Sequence, residues 1–153
     1  MSTRSTTHAT FVLERTYDAG PARVFAAWAS LEAKRRWFGP GDEHELDFRV
    51  GGSEHLVVNT AAGPRYTFDS RYQDIVPDER IVYSYEMYKD EDRISVSVTT
   101  VEMAPVEGGT LLTMTEQGVF LDDLDDPAAR EHGTRELLDA LGKAIADEAR
   151  EVA

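Results

Sequence analysis

The spacing of apolar positions changes repeatedly along this chain, and each change marks an element. Over residues 10–17 they alternate, with Phe11, Leu13 and Arg15 on one face and Val12, Glu14 and Thr16 on the other, which predicts a strand. Gly20-Pro21 then supplies an N-cap and a first helical residue. Val24, Ala27, Trp28 and Leu31 follow at i, i+3, i+4 and i+7, one face of a helix. A second short helix starts near Leu31, runs into Trp37 and stops at Gly39-Pro40. Strand-like segments then cover residues 43–50, 54–60, 66–75, 80–89, 93–103 and 110–118. The breaks carry turn chemistry: Gly51-Gly52, Ala62-Gly63-Pro64, Pro77-Asp78, the charged run Lys89-Asp90-Glu91-Asp92, and Pro105 with Glu107-Gly108-Gly109. Such short, turn-punctuated spacing predicts antiparallel hairpins.

The last quarter returns to helical spacing. Asp126 is a good N-cap and Pro127 a good first residue for a helix reaching Val152. Leu137, Leu138, Leu141 and Ile145 form its apolar stripe, and Arg135, Glu136, Asp139, Lys143 and Asp147 lie opposite. That stripe needs a partner, and only the concave face of the sheet is large enough. The predicted class is α+β: a curved antiparallel sheet wrapped around a long C-terminal helix, with two short helices after the first strand.

Composition narrows the functions. A chain of 153 residues reads as one domain over residues 8–153, preceded by a polar, mobile tail at residues 1–7. Sixteen basic and 29 acidic residues leave a net charge of -13, which repels phosphate backbones and anionic lipid. Nucleic acid and membrane are therefore not expected as partners. No cysteine is present, so disulfides and thiolate chemistry are excluded. There is no signal-peptide core in the first residues and no apolar run of membrane-spanning length, so a soluble cytoplasmic protein is expected.

Catalytic motifs are scarce. Nucleophile-elbow, phosphate-loop, dinucleotide and zinc-helix patterns are absent. His44 and His55 with Glu43 and Glu45 can place ligands across a hairpin, but their spacing fits a solvated acidic edge better than a metal site. No metal or other cofactor is expected. His132, one turn into the last helix, reads either as a surface histidine or as an acid or base at a cavity entrance. On residues 80–89, Ile81, Tyr83, Tyr85 and Met87 share the face taken as inner. If Leu112 and Met114 point inward, so does Glu116, a carboxylate that burial makes costly unless it is paired or protonated. A slipped register or a place at the wet rim would make Glu116 unremarkable. Arg49 reads as structural, holding the Gly51-Gly52 turn or Asp47.

Five motifs in order resemble a known family. They are Pro21-x-x-Val24-Phe25-x-Ala27-Trp28, Trp37-Phe38-Gly39-Pro40, Asp47-x-Arg49-x-Gly51-Gly52, Gly109-Thr110-x-Leu112-Thr113-Met114-Thr115 and Gly133-Thr134-x-x-x-Leu138-Asp139-x-Leu141. With the element order, they resemble the START-like (SRPBCC, Bet v 1-like) helix-grip fold, in the branch named for the activator of the heat-shock-protein-90 ATPase. The resemblance covers about residues 10–145. It implies a cavity between sheet and terminal helix that holds a hydrophobic small molecule. Trp37, Phe48, Tyr83, Tyr85, Val96, Val98, Met114, Glu116 and Leu138 are the expected lining. Where many relatives have Gly-Trp at the start of that helix, this chain has Gly133-Thr134, which implies a wider mouth. Ser70 stands where a glycine is frequent. The eukaryotic co-chaperone has a separate N-terminal domain, to which nothing in these residues corresponds.

Two alternatives stand beside ligand binding: a cyclase- or hydrolase-type enzyme using Glu116, His132 or a tyrosine as acid or base, and a protein-binding co-chaperone domain. A homodimer is left open. Since no metal is called for, chelator treatment is expected to leave the melting temperature unchanged. A structural site would instead contribute strongly to folding, and its loss would show as a drop of several degrees.

Overall fold

A computed structural model describes residues 4–39 and 41–152 and begins with a strand, β1 (Thr6–Tyr17). Thr6 and Thr7 pair with Leu121 and Phe120, so this part of the expected tail lies in the sheet; residues 1–3 fall outside the described residues. Helix α1 (Pro21–Ala29) starts as predicted, with Gly20 extended and Pro21 in the first turn, and buries Val24, Ala27 and Trp28. Ser30 caps α2 (Leu31–Lys34), its Oγ accepting the Ala33 N–H at 3.1 Å. The expected stop at Gly39-Pro40 is described only as far as Gly39.

The strands β2 (Glu43–Leu46), β3 (Ser53–Asn59), β4 (Arg65–Val76), β5 (Arg80–Lys89), β6 (Asp92–Val106) and β7 (Gly109–Leu121) complete one antiparallel sheet. Its order is β1-β7-β6-β5-β4-β3-β2. Hairpins connect neighbours everywhere except at β1, which pairs with the last strand. Helices α1 and α2 therefore carry the chain from one edge of the sheet to the other. The long helix α3 (Pro127–Val152) starts at Asp126, whose Oδ1 accepts the Ala128 N–H at 3.1 Å. Leu138, Leu141 and Ile145 are buried on the core side of α3. Tyr17 of β1 donates its hydroxyl to the Leu138 carbonyl at 2.7 Å, and Arg15 Nε reaches Asp139 Oδ1 at 3.0 Å. Gly142 lets the helix approach, since a Cβ there would lie 3.1 Å from the Tyr17 ring. The fold is the predicted helix-grip.

Strand β2 is shorter than its alternation predicted, ending at Leu46. Residues 47–52 instead form a turn whose geometry needs both glycines. Gly51 has φ 85°, and a Cβ at Gly52 would sit 2.1 Å from the Asp47 carbonyl oxygen. Arg49 Nε holds Asp47 Oδ2 at 2.9 Å, as the structural reading expected. Phe48 consequently leaves the sheet and stacks edgewise between Phe25 and Tyr72.

The acidic edge expected around His44 and His55 proves to be two separate clusters. His55 lies on the outer face with Asp69 and Glu43, whereas His44 is buried on the inner face. The pairing His44↔Leu56 and Leu46↔Glu54 turns Glu54 inward beside it. Lys34, at the end of α2, donates to Glu54 Oε1, and His44 Nε2 lies 2.7 Å from Glu54 Oε2. Lys34 and Glu54 are at most 1% exposed. The Lys34 amine lies among the rings of Trp28, Trp37, Phe38, Tyr72 and Tyr83, at 4.3 Å from the Phe38 centroid. Burial pushes the Glu54 carboxyl upward, but the Lys34 charge and the bonds from His44 and Lys34 overcome it and hold Glu54 below its ordinary range.

Removing one member strands the other. Lys34→Met is expected to cost about 3–5 kcal/mol in denaturant unfolding, and adding Glu54→Gln to recover part of that loss. The ionised Glu54 contributes stability above its unfolded-state pKa, and that contribution is lost as pH falls through its lower folded-state value.

Candidate functional site

The two halves of α3 differ in side-chain size. Its later turns fill the space against β1 and α1 with Leu138, Leu141 and Ile145. Its first turns present Ala129, Gly133 and Thr134, and a Cβ added at Gly133 would meet nothing within 4 Å. Small side chains there leave a cavity of about 560 Å³. Trp37 and Phe38 after α2 and Leu56 of β3 form one wall. Phe68 of β4 with Tyr83, Tyr85 and Met87 of β5 form the floor. Met114 and Glu116 of β7, with Arg130 and Leu137 of α3, close the other side.

Most of this lining is apolar, and four of its polar residues, Glu116, Tyr85, Arg130 and Asp125, form one connected chain. Glu116 is 4% exposed. Its Oε2 accepts the Tyr85 hydroxyl at 2.8 Å and its Oε1 accepts the Thr99 hydroxyl at 3.0 Å. Arg130 Nη1 donates to the Tyr85 oxygen at 2.9 Å, while Nη2 donates to Ser95 Oγ at 2.9 Å and Asp125 Oδ2 at 2.7 Å. The guanidinium also lies 5.0 Å from the Phe120 ring centroid. Burial raises the Glu116 carboxyl above its ordinary value, and the opposing effects of Tyr85, Arg130 and Thr99 are too small to reverse this. Burial, then the Glu116 charge, also raises the Tyr85 hydroxyl.

The cavity brings together Trp37, Tyr83, Tyr85, Met114 and Glu116 from the predicted lining. Four other residues lie elsewhere. Val96 and Val98 are on the outer face, 38% and 42% exposed, because β6 turns Ser95, Ser97 and Thr99 inward. Phe48 belongs to the turn after β2, and Leu138 is packed in the core one position past Leu137. His132 is a surface histidine, 2.8 Å from Glu136 and outside the cavity lining. Thr99, Ser95, Asp125 and Arg130 were missed. The signal for Arg130 was its helical spacing to Gly133, Thr134 and Leu137, which share its face at i+3, i+4 and i+7. Among the described residues, no group of three or more His, Cys, Asp or Glu side chains is placed to hold a metal ion.

Comparison with known proteins follows the same architecture. The profile of the family described as Activator of Hsp90 ATPase homolog 1-like protein matches residues 18–146. Among solved structures, the chain is similar to an uncharacterized protein from Rhizobium leguminosarum, at 46% identity and TM-score 0.91, covering 94% of this chain and 98% of that one. It is similar to the Mll3558 protein from Rhizobium loti, at 48% identity and TM-score 0.87, covering 92% and 99%. Protein CV1439 from Chromobacterium violaceum shows 28% identity and TM-score 0.75, over 89% and 96%. None of the curated proteins matches.

The raised Glu116 value has a measurable sign. A carboxyl whose folded-state pKa exceeds its unfolded value binds more protons when folded, so its contribution weakens as pH rises from about 4.5 through the folded value. Glu116→Gln removes this dependence. The melting temperature of the variant relative to the parent is expected to climb over that window and to be at least equal at pH 7. A variant that loses ground with rising pH would mark Glu116 as an ionised, stabilising carboxylate.

Proposed function

The chain belongs to the Activator of Hsp90 ATPase homolog 1-like family, and from that premise we propose that it binds a hydrophobic small molecule between its sheet and its terminal helix. The observation that carries this reading is the cavity of about 560 Å³ between the small-residue face of α3 and the aromatic wall of β4 and β5. A packed interior leaves few voids larger than a water molecule. Small-molecule sites occupy roughly 300–1,000 Å³ and combine apolar walls with a few polar groups that fix orientation. Here those groups are Glu116, Tyr85 and Arg130, joined by hydrogen bonds at one side of the cavity. A net charge of -13 supports a small-molecule ligand over nucleic acid or an anionic membrane. No helix among the described residues is long and apolar enough to cross a membrane. The cytoplasm is the setting this reading assigns.

One observation favours a second reading, acid–base catalysis in the same cavity. The Glu116 carboxyl and the Tyr85 hydroxyl are two titratable groups in direct hydrogen bond, the minimum such a mechanism needs. Turnover of a bound molecule, abolished by Glu116→Gln, separates enzyme from carrier.

An apolar fluorescent probe is expected to bind saturably, about one per chain, and to change tryptophan emission through Trp37. Native mass spectrometry of freshly purified protein is expected to show a retained molecule. Leu137→Trp, which adds volume at the cavity, should block the probe with the fold intact. Leu138→Trp, one residue on, should overpack the core and cost about 1–3 kcal/mol. If the parent binds no probe and Leu137→Trp is as damaging as Leu138→Trp, the interface is solid. A protein-binding or scaffold role then replaces the ligand-binding one.

A further inference from the structure

We propose that the molecule held in this cavity carries a cationic nitrogen on an apolar frame, seated against the Glu116 carboxylate. This rests on the ligand-binding reading above and adds the chemical class. The charged side chains lining the cavity are Glu116, Asp125 and Arg130. Arg130 and Asp125 already form an ion pair at 2.7 Å. Glu116 contacts two neutral hydroxyls, those of Tyr85 and Thr99, and forms no ion pair among the described residues. An ionised Glu116 therefore leaves the cavity one negative charge in excess. Each of its oxygens accepts one hydroxyl and keeps acceptor capacity for a ligand.

The walls suit the same partner. Trp37, Phe38, Phe68, Tyr83 and Tyr85 line the cavity, and aromatic faces attract cations more strongly in desolvated sites. This chain already assembles that combination once. The Lys34 ammonium bonds to Glu54 inside a ring shell that includes Trp37, Phe38 and Tyr83, which also line the cavity. A bound anion, by contrast, would face Glu116 in a protein of net charge -13.

Cation binding is coupled to the protonation of Glu116. The groups facing its carboxyl are Tyr85 and Tyr83 of β5, Thr99 of β6, Arg130 of α3 and, through Arg130, Asp125. Burial raises the empty-site carboxyl, so an arriving cation displaces a proton and binds better as pH rises.

The test pairs naphthylethyl trimethylammonium with its uncharged isostere, in which a tert-butyl group replaces the ammonium. Neither probe titrates. Both are titrated into the parent by calorimetry between about pH 5 and pH 8, a window spanning a raised carboxyl. The parent is expected to prefer the cation by about tenfold or more at the upper end, with the preference shrinking on acidification. Calorimetry in buffers of different ionisation enthalpy is expected to show proton release for the cation and none for the isostere. Glu116→Gln should bring the two affinities together, and the parent's pH series decides the matter even if that variant folds poorly. Equal or tighter binding of the isostere throughout overturns the cationic class and leaves the ligand-binding reading standing. Failure of both probes to bind overturns both.

Discussion

The buried ion pair of Lys34 with Glu54 is the constraint on which the rest of the inner face depends. It joins a one-turn helix to the third strand, at the place where the chain has just crossed from one edge of the sheet to the other. A helix as short as α2 has no independent stability, so its position must come from tertiary contacts. The ammonium supplies one, and the rings of Trp28, Trp37 and Phe38 gather around it. Trp37 is fixed further by its Nε1–H bond to the Ala27 carbonyl at 2.9 Å. Since Trp37 and Phe38 also wall the cavity, the ion pair sets the shape of a space it does not itself enter.

The opposite wall is built on a different principle. Small residues in the first turns of α3 withhold volume, and large ones further along pack the same helix onto β1. The helix is thus anchored at one part and stands off at another. The polar chain from Thr99 through Glu116 and Tyr85 to Arg130 bridges the gap. It ties strands β5, β6 and β7 to the start of the helix, and within it Glu116 makes no ion pair among the described residues. Buried polar networks of this kind hold a definite geometry when every member is satisfied.

Much of this was legible in the pattern of residues. Period-two alternation located the strands, helical spacing located α1 and α3, and Asp126-Pro127 marked where the last helix starts. The parity of Leu112, Met114 and Glu116 offered an inner-face carboxylate beside a slipped register or a rim position, and Glu116 is buried on the inner face. Parity failed on β6 because hydrophobicity misreports its faces: the strand turns Ser95, Ser97 and Thr99 inward and leaves Val96 and Val98 outside. The inner polar side chains are there to meet Glu116 and Arg130, which strand-local reasoning does not consider. Phe48 was misplaced because a glycine-dependent turn overrode its alternation. His44 was read as part of a solvated edge, and Lys34 and Glu54 drew no reading; the burial of all three depends on the β2–β3 register and on the path of α2, neither of which periodicity encodes.

The pairing of β1 with β7 has a consequence for the order in which the molecule can be made. Strand β1 is synthesised before the other strands of the sheet, yet its register, from Thr6↔Leu121 to Tyr17↔Thr110, is written in β7, which follows them all. The segment that holds the helix in place, through Tyr17 and Leu138, likewise waits for residues beyond the sheet. Pairings of such long sequence separation close slowly, because the chain loses loop entropy before the contact forms. Without α3, the aromatic inner face of β4 and β5 has no helix opposite it. The cavity needs both the sheet and the first turns of α3, so it is complete only once the helix follows the strands.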